Sequence, residues 1–370
     1  MLDFSSSLYL GLRHPGQQLG SWQSLTLGKP TMLQPIANYR ELLNELERLT
    51  GTQDMILGTS SLQLFFDFAI WLRNQPVEVF LDEYCYPIAK KAFTAVHNTT
   101  LSGYLRHYEP SDLDRVLSTC SQAGRRPVLV IDGYSPVSGQ LCPLEQYCEV
   151  LEKYNGIAIV DDTQSLGVFG QHASVDLPYG KGGGGIIMNN NINYENIIYI
   201  SSMAKGFGVP VAFLSTTKMD ISDYLEHSLT NNHCSPVSIA HALSIKHALK
   251  LNRNHGEQIR NKLYQLVFKF KQRLSQAGIS TIGGDFPFQT LSKHNRIDAT
   301  GLYEFLQNKG FTSVLHELKS SDSTAISFLI TARHSFADIY SLTSQIINYM
   351  CMYHSRNRAR GTYAFAYPYI

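Results

Sequence analysis

Short apolar runs rich in Val and Ile alternate along the chain with longer segments of helical period. An apolar run of roughly four to eight residues fits a strand that is buried on both faces, whereas apolar positions three or four residues apart fit one face of a helix. The alternation predicts an α/β fold with a largely parallel sheet covered by helices. The predicted strands are VEVFLDE (77–83), PVLVIDG (127–133), GIAIVDD (156–162), IIYISS (197–202) and VAFLSTT (211–217).

The segments around these strands predict amphipathic helices. The helix that opens at Pro143 places Leu144, Tyr147, Val150 and Leu151 on one face. Proline suits its first turn, because the N–H group that proline lacks has no helical partner there. Each helix therefore has an apolar face to lay on the sheet. The predicted helices are IANYRELLNELERLT (36–50), SLQLFFDFAIWLRN (61–74) and PLEQYCEVLEKYN (143–155).

The pattern changes at about residue 236 and predicts a second, smaller α+β domain. Two long helical stretches, IAHALSIKHALKL and HGEQIRNKLYQLVFKFKQRLSQAG, precede the apolar run AISFLIT and a last helix, SFADIYSLTSQIINYMCMYH. A chain of 370 residues also exceeds the usual size of one compact domain. We expect an N-terminal segment (1–50), a large domain (51–235), a small C-terminal domain (236–356) and a tail (357–370).

The amino-acid composition limits the classes of binding partner and the cell compartment that we expect. The chain has 31 basic and 30 acidic residues, with no long block of either sign, so we expect neither a nucleic acid nor a membrane partner. The six cysteines form no metal-ligand spacing, which predicts reduced thiols and no metal. The N-terminus lacks a signal-peptide pattern, and no stretch reaches the roughly 18 to 20 apolar residues that span a bilayer. We expect a cytoplasmic enzyme.

The first chemical signal is a pair of carboxylates, Asp161 and Asp162, after the predicted strand IAIV. In parallel α/β sheets, ligands bind at the carboxyl ends of the strands. A carboxylate at this place is therefore positioned for chemistry. The alternative is an aspartate that caps the following turn.

The second signal is Lys205 in ISSMAKGFGVP, just beyond the strand IIYIS. The small residues around it leave room for a ligand close to the backbone. A lysine amine condenses with a carbonyl when partial desolvation lowers its pKa. Pyridoxal phosphate supplies such a carbonyl, and its ring acts as an electron sink when a carboxylate faces the ring nitrogen. Lys205 and Asp161 meet both needs, whereas Lys205 alone would be read as a solvated loop lysine.

The third signal is ILGTSSLQLFF, in which Thr59, Ser60 and Ser61 follow Gly58 and lead into a predicted helix. Free N–H groups and hydroxyls at a helix N-terminus form a ready phosphate site. An ordinary serine or threonine N-cap is the alternative interpretation.

These motifs resemble the fold-type-I pyridoxal phosphate enzymes, and within them the α-oxoamine synthases and the class I/II aminotransferases. LDFSSSLYLGLRHP is similar to the opening segment of the synthases, VDDTQSLGVFG to their aspartate motif, SSMAKGFG to their lysine motif and FLITARHSFADI to their closing segment. The resemblance covers nearly the whole chain. It implies pyridoxal 5'-phosphate as cofactor, a mostly parallel, seven-stranded-type sheet, a smaller C-terminal α+β domain and a homodimer with shared active sites.

The resemblance also implies roles for individual residues. Lys205 is the Schiff-base lysine, and Asp161 is the partner of the ring nitrogen. The run from Gly182 to Gly185 matches a glycine-rich turn of the family. It is not a nucleotide loop, because it follows a polar stretch rather than a strand. The implied phosphate contacts are Thr59, Ser60, Ser61 and Ser202.

Three positions depart from the synthase pattern. Tyr86 stands where the synthases carry a histidine that stacks on the cofactor ring. Gln164 replaces a second histidine, resembles the class III aminotransferases, and has an amide that would donate to the phenolic oxygen of the cofactor. Ser327 stands in place of the arginine that binds the substrate carboxylate, and Arg333 would substitute for it. Plain packing for Tyr86 and Gln164, and a solvated turn for Arg333, are the alternatives.

The expected function is a pyridoxal phosphate-dependent transferase that acts on an amine or amino acid. Acylation by a thioester would make it an oxoamine synthase, whereas reprotonation at the cofactor would make it an aminotransferase, which Tyr86 and Gln164 allow. A third hypothesis is a non-catalytic relative that keeps the cofactor fold as a ligand-binding module. The absence of the arginine motivates it, but the presence of Lys205 and Asp161 argues against it.

Overall fold

The computed structural model describes residues 1–33, 37–96, 101–120, 124–295, 297–317 and 324–359. This part of the chain forms two compact units. The large unit comprises residues 10–261, and the small unit joins residues 1–9 to the chain from residue 262 onward. Within the described residues, no helix is both long and apolar enough to cross a lipid bilayer.

Strands and helices alternate through most of the large unit. The strands of the chain are β1 (Leu2–Asp3), β2 (Gln53–Gly58), β3 (Val77–Asp82), β4 (Leu101–Leu105), β5 (Arg126–Asp132), β6 (Tyr134–Ser135), β7 (Gln140–Leu141), β8 (Ile157–Asp161), β9 (Ile197–Ser202), β10 (Ala212–Thr216), β11 (Thr281–Ile282), β12 (Phe288–Leu291), β13 (Phe311–Thr312), β14 (Val314–Glu317) and β15 (Thr324–Leu329). The α-helices are α1 (Ala37–Thr50), α2 (Ser61–Leu72), α3 (Pro87–Val96), α4 (Pro110–Cys120), α5 (Leu144–Glu152), α6 (Ile186–Asn190), α7 (Ser222–His227), α8 (Leu229–Asn232), α9 (Ile239–Gln276), α10 (Ala299–Asn308) and α11 (Phe336–Ala359).

The large unit is built on a seven-stranded sheet with the order β2-β10-β9-β8-β5-β3-β4. Five neighbouring strands of this sheet run parallel, namely β9, β8, β5, β3 and β4. The strand β10 is antiparallel to both of its neighbours, β2 and β9. All five predicted strands are present, as β3, β5, β8, β9 and β10, and the predicted α/β class with a mostly parallel sheet is confirmed. The two further strands, β2 and β4, lie at the sheet edges, where exposed positions interrupt the apolar pattern.

Hydrophobic side chains cover both faces of this sheet. In β5, Val128 and Val130 belong to one buried cluster, whereas Leu129 and Ile131 belong to the other. The apolar faces of α2 and α3 complete the first cluster, and those of α1, α4 and α5 complete the second. Burial on both faces explains why the strands read as continuous apolar runs. The predicted face of α5 is buried, and its residues are Leu144, Tyr147, Val150 and Leu151.

The two helical stretches predicted after residue 236 form one helix of 38 residues, α9. The polar stretch that separates them in the sequence does not end the helix. Its Asn252 side chain donates to the Gly182 carbonyl at 2.8 Å, so that part of the polar stretch is bonded within the large unit. The chain passes from the large unit to the small unit within α9, between Asn261 and Lys262.

The small unit has a four-stranded antiparallel sheet with the order β11-β12-β15-β14, and β1 pairs in parallel with β13. The predicted strand AISFLIT corresponds to β15, and the predicted last helix corresponds to α11. Residues 360–370 of the expected tail lie outside the described residues.

Candidate active site

Three neighbouring parallel strands, β3, β5 and β8, each end in a buried aspartate, namely Asp82, Asp132 and Asp161. Asp132 pairs in register with Asp161, and Lys205 follows the end of the adjacent strand β9 by three residues. Because the carboxyl ends of parallel strands lie at one edge of a sheet, these carboxylates and the lysine amine converge there.

The Lys205 amine lies in a largely desolvated environment. Burial lowers the pKa of Lys205, and the carboxylates of Asp161 and Asp132 partly oppose this shift. Its nitrogen lies 5.7 Å from the centroid of the Tyr86 ring. A lysine of lowered pKa beside an aromatic face is suited to act as a nucleophile and as a proton acceptor.

Asp161 is held at the start of the turn that follows β8. Its Oδ1 atom accepts a hydrogen bond from the Thr163 backbone N–H at 3.0 Å. The Thr163 hydroxyl in turn accepts from the Ser202 backbone N–H at 3.1 Å, which connects this turn to the end of β9. Burial raises the pKa of Asp161, and the bonds to Thr163 and the charge of Lys205 act in the opposite direction.

Asp132 is a second carboxylate at this edge, and it is not among the residues predicted from the sequence. Its Oδ1 atom accepts a hydrogen bond from the Tyr86 backbone N–H at 3.2 Å. Burial, followed by the charge of Asp161, raises the pKa of Asp132 well above its usual range. The sequence signal was available, because VFLD, VLVID and IAIVD all end an apolar run with an aspartate.

Asp162 has a structural role that separates it from Asp161. Its Oδ2 atom accepts from the Ile186 backbone N–H at 2.9 Å and from the Tyr199 hydroxyl at 2.5 Å, and its Oδ1 atom accepts from the Ser165 hydroxyl. Burial raises the pKa of Asp162 to about 7. The side chain therefore connects β9, the turn after β8 and the start of α6.

The residues expected to bind phosphate lie at the same edge of the sheet. Gly58 of β2 and Ser202 of β9 both pair with Ala212 of the strand between them. Since neighbouring strands lie about 4.8 Å apart, the two strand ends are roughly 10 Å apart. Thr59, Ser60 and Ser61 follow Gly58 directly.

The N-cap interpretation of this segment is correct for Ser60. The Ser60 hydroxyl accepts from the Gln63 backbone N–H at 3.2 Å at the start of α2, and the Thr59 hydroxyl donates to the Gln63 side chain at 2.8 Å. A capped helix start can also bind an anion, because further N–H groups of the first turn point outward. Phosphate binding by Thr59, Ser60, Ser61 and Ser202 remains a prediction.

The glycine run after β8 packs closely against α9. The Gly182 backbone N–H donates to the Glu257 carboxylate at 3.0 Å. Gly183 has φ +75°, and a Cβ atom there would lie 2.6 Å from the Nη1 atom of Arg260. Arg260 is buried, and it also donates to the Asn252 side chain at 2.8 Å. The absence of a side chain at Gly183 therefore permits close packing against the polar side of α9.

The remaining predicted residues are Gln164, Arg333 and Ser327. Gln164 is half-buried in the turn that carries Asp162, and Arg333 is exposed between β15 and α11 of the small unit. Ser327 is buried in the small unit, with its hydroxyl 2.7 Å from the Thr290 hydroxyl and 2.8 Å from the His316 ring. Ligand binding by Gln164 and Arg333 remains a prediction.

The groups at this edge suit pyridoxal phosphate. The site combines a buried carboxylate at Asp161, a desolvated amine at Lys205, the aromatic ring of Tyr86 and the hydroxyls at the start of α2. These groups match the ring nitrogen, the aldehyde, the ring face and the phosphate of the cofactor, respectively.

The chain is similar to known proteins over most of its length. Residues 28–320 match the family model of aminotransferase class I and II. The chain is 26% identical over 240 residues to 8-amino-7-oxononanoate synthase of Thermosipho melanesiensis, a match that covers 63% of this chain and 57% of that protein. It thus spans little more than half the length of that relative.

Solved structures share the fold. Serine palmitoyltransferase of Sphingomonas wittichii has a TM-score of 0.79 at 15% identity, covering 98% of this chain and 88% of that one. 8-amino-7-oxononanoate synthase of Francisella tularensis has a TM-score of 0.70 at 18% identity, covering 96% and 98%. Another serine palmitoyltransferase structure of this fold contains pyridoxal phosphate. The fold is that of the fold-type-I pyridoxal phosphate enzymes.

Proposed function

We propose, from the premise that this chain belongs to the aminotransferase class I and II family, that it is a pyridoxal phosphate-dependent acyltransferase. In this proposal the acyl group of a thioester becomes bonded to the carbon beside the nitrogen of an amine or amino acid, and the thiol leaves. The observation that carries the proposal is the convergence of Lys205 and Asp161 at the carboxyl edge of the sheet. The similarity to 8-amino-7-oxononanoate synthase favours acyl transfer.

Residues of the large unit would hold the cofactor. Asp161 would face the ring nitrogen, Tyr86 would lie on the ring face, and Gln164 would donate to the phenolic oxygen. When bound, the cofactor supplies a carbonyl that condenses with amines and a ring that withdraws electrons from the neighbouring carbon. The residues that would hold its phosphate are Thr59, Ser60, Ser61 and Ser202.

Lys205 would move the proton at the reacting carbon. Burial favours its neutral amine, which can accept that proton. The carboxylates of Asp161 and Asp132 stabilise the ammonium form that results, so that the proton can be returned. Tyr86 would contact the ring rather than act as an acid, because a phenol gives up its proton less readily than an imidazolium.

The substrates and the assembly belong to the same proposal. Because Ser327 offers no guanidinium for a carboxylate, the substrate would be a simple amine, an amino sugar, or an amino acid whose carboxylate is bound by Arg333, the cation nearest to Ser327 in the sequence. We also propose that the enzyme is a homodimer, and sedimentation of the purified protein tests this. A monomer at micromolar concentration would contradict the dimer without affecting the chemistry.

An absorption spectrum tests cofactor binding. Purified protein should show a band between about 300 and 500 nm that borohydride bleaches, and peptide mapping should place the pyridoxyl group on Lys205. Lys205→Ala should lack this adduct, whereas Lys181→Ala, which changes an exposed lysine of the same unit, should retain it. A protein that cannot be reconstituted with the cofactor would contradict the proposal.

Turnover separates acyl transfer from the alternatives. Thiol release from acyl thioesters is measured with a panel of amines, and keto products are measured with amines and oxo acids. Thiol release that depends on the amine and disappears in Lys205→Ala supports the proposal. Transfer of the amino group without a thioester would identify an aminotransferase. Cofactor binding with no turnover of any amine would identify a binding module.

A further inference from the structure

An aspartate, a histidine and a serine of the large unit form a hydrogen-bonded chain that does not include Lys205. The Nδ1 atom of His107 lies 2.8 Å from Asp82 Oδ1, and its Nε2 atom lies 2.8 Å from Ser138 Oγ. The side chains of His107 and Asp82 are 10% and 2% exposed, whereas Ser138 is half-buried. The chain therefore leads from a buried carboxylate to an accessible hydroxyl.

The surrounding donors determine where the protons lie. Asp82 also accepts from the backbone N–H groups of Tyr84 at 2.9 Å and Tyr108 at 3.1 Å, so both of its oxygens act as acceptors. In the neutral imidazole, His107 Nδ1 then donates to Asp82, which leaves a lone pair on Nε2. The Ser138 hydroxyl then donates to Nε2, so an imidazole base faces the hydroxyl proton.

Two aromatic rings fix the orientation of this imidazole. The His107 ring stacks on the Tyr108 ring, with centroids 3.9 Å apart and planes at 25°. The Tyr84 ring contacts it edge-on, at 5.0 Å and 61°. The His107 backbone N–H donates to the Glu83 carboxylate at 3.0 Å. The base is thus held in one orientation toward Ser138 before any ligand arrives.

The chain lies at the ligand-binding edge of the large sheet. Asp82 ends β3, and Ser138 lies in the β6–β7 hairpin that follows the neighbouring strand β5. In parallel α/β sheets, this carboxyl edge is where ligands bind. A hydroxyl that is activated here is placed to meet a small ligand, whereas the same chain inside the core would serve packing alone.

We propose that Ser138 is a nucleophile that accepts acyl groups from esters or thioesters, with His107 as its general base and Asp82 as the positioning residue. Ser138 Oγ bonds to the acyl carbon while its proton passes to His107 Nε2. The bond from that carbon to sulfur or oxygen breaks, and the leaving thiol or alcohol takes the proton. Water then attacks the serine ester by the same route, releasing a carboxylic acid and restoring Ser138. This activity is separate from the proposed function and requires no cofactor.

Labelling with a fluorophosphonate probe tests the proposal on the full-length protein as purified. Peptide mapping should place the label on Ser138, and Ser138→Ala should lose it. His107→Gln keeps a hydrogen-bonding side chain but no base, so its labelling rate should fall at least about 100-fold. Ser102→Ala, which changes an exposed serine of β4, should label like the wild type. Labelling should be the same with and without added pyridoxal phosphate, which separates this proposal from the proposed function.

A competition experiment covers the case in which His107→Gln does not fold, as circular dichroism would reveal. Wild-type protein preincubated with S-acetyl-N-acetylcysteamine should carry an acetyl group on Ser138. Its labelling by the fluorophosphonate should decrease by the fraction of Ser138 that is acetylated. Absence of label on Ser138, an unchanged rate in folded His107→Gln, or no acetyl group on Ser138 would each overturn the proposal.

Discussion

The Lys205 amine nitrogen lies 5.7 Å from the centroid of the Tyr86 ring, and the Tyr86 backbone N–H is fixed by a hydrogen bond to Asp132. Tyr86 nevertheless remains 47% exposed. A large aromatic ring that is anchored through its backbone, but not covered, leaves a face to which a planar ligand can bind.

Replacement of Tyr86 tests this contact. Tyr86→Leu removes the aromatic face but keeps the backbone bond to Asp132, so we expect the dissociation constant for pyridoxal phosphate to rise about tenfold, as loss of one stacking contact implies. Tyr86→Phe should bind like the wild type, because the ring is kept. Equilibrium titration followed by absorbance measures both. Equal affinities for the leucine and phenylalanine variants would remove Tyr86 from the cofactor site.

The charge of Asp161 should control the ionisation of Lys205. Burial lowers the pKa of Lys205, and the Asp161 carboxylate opposes that shift. Asp161→Asn removes the opposing charge, so the pKa of Lys205 should fall further and more neutral amine should be present at a given pH. The pH dependence of acetylation of Lys205 in cofactor-free protein, read by peptide mapping, measures this pKa. Asp176→Asn, an exposed control, should leave it unchanged, and a higher pKa in Asp161→Asn would contradict the assignment.

Asp162 should make stability depend on pH. Burial raises its pKa to about 7 in the folded protein, whereas an unfolded aspartate has a pKa near 3.9. Between about pH 4 and 7 the folded state holds a proton that the unfolded state has lost, so the free energy of unfolding falls as the pH rises.

Asp162→Asn cannot ionise and isolates this contribution. The stability of the wild type relative to the variant should decline by about 1.4 kcal/mol for each pH unit in that range and should level off above about pH 7. Urea unfolding at several pH values measures the difference. Asp176→Asn should show no such trend, and a flat difference for Asp162→Asn would show that its carboxyl group is ionised throughout.

Adjacent glycines offer a matched test of packing against α9. Gly182 and Gly183 both have positive φ, at +82° and +75°, but an added Cβ meets nothing within 4 Å at Gly182 and lies 2.6 Å from Arg260 at Gly183. Gly182→Ala should cost about 1–2 kcal/mol of unfolding free energy through backbone strain alone. Gly183→Ala should cost at least about 1 kcal/mol more. Equal losses in urea unfolding would show that Arg260 and the Gly167 carbonyl, which would lie 2.8 Å from the added Cβ, both move away without a penalty.

The sequence predicts the strands best where burial on both faces leaves continuous apolar runs, as in β3, β5, β8 and β9. It misses β2 and β4, because edge strands with exposed positions lack that signal. It also predicts two helices where α9 is one. Asn252 interrupts the apolar pattern, yet its side chain is bonded to Gly182, and no periodicity could reveal a partner so distant in the sequence.

Contacts between residues distant in the sequence also limit how much of the candidate site can be predicted. Lys205 and Asp161 were identified because each follows a strand and matches a motif, and the structure places them at one edge of the sheet. Asp132 and His107 were missed. His107 becomes a candidate only because β4 lies beside β3, which brings His107 to Asp82. Long-range pairing of strands, rather than local pattern, decides which polar residues meet.

The position of β10 has a consequence for how the protein is made. This antiparallel strand lies between β2 and β9. Gly58 of β2 can therefore pair within the sheet only after Ala212 of β10 has been synthesised. Strands so far apart in the chain pair slowly, because the long segment between them loses conformational entropy before the strands gain their contacts. The hydroxyls at the start of α2 and the amine of Lys205 therefore come together late in folding. A ligand that contacts both the start of α2 and Lys205 would bind only the completed sheet. It would therefore stabilise the pairing of β10 with β2 and β9, which forms late.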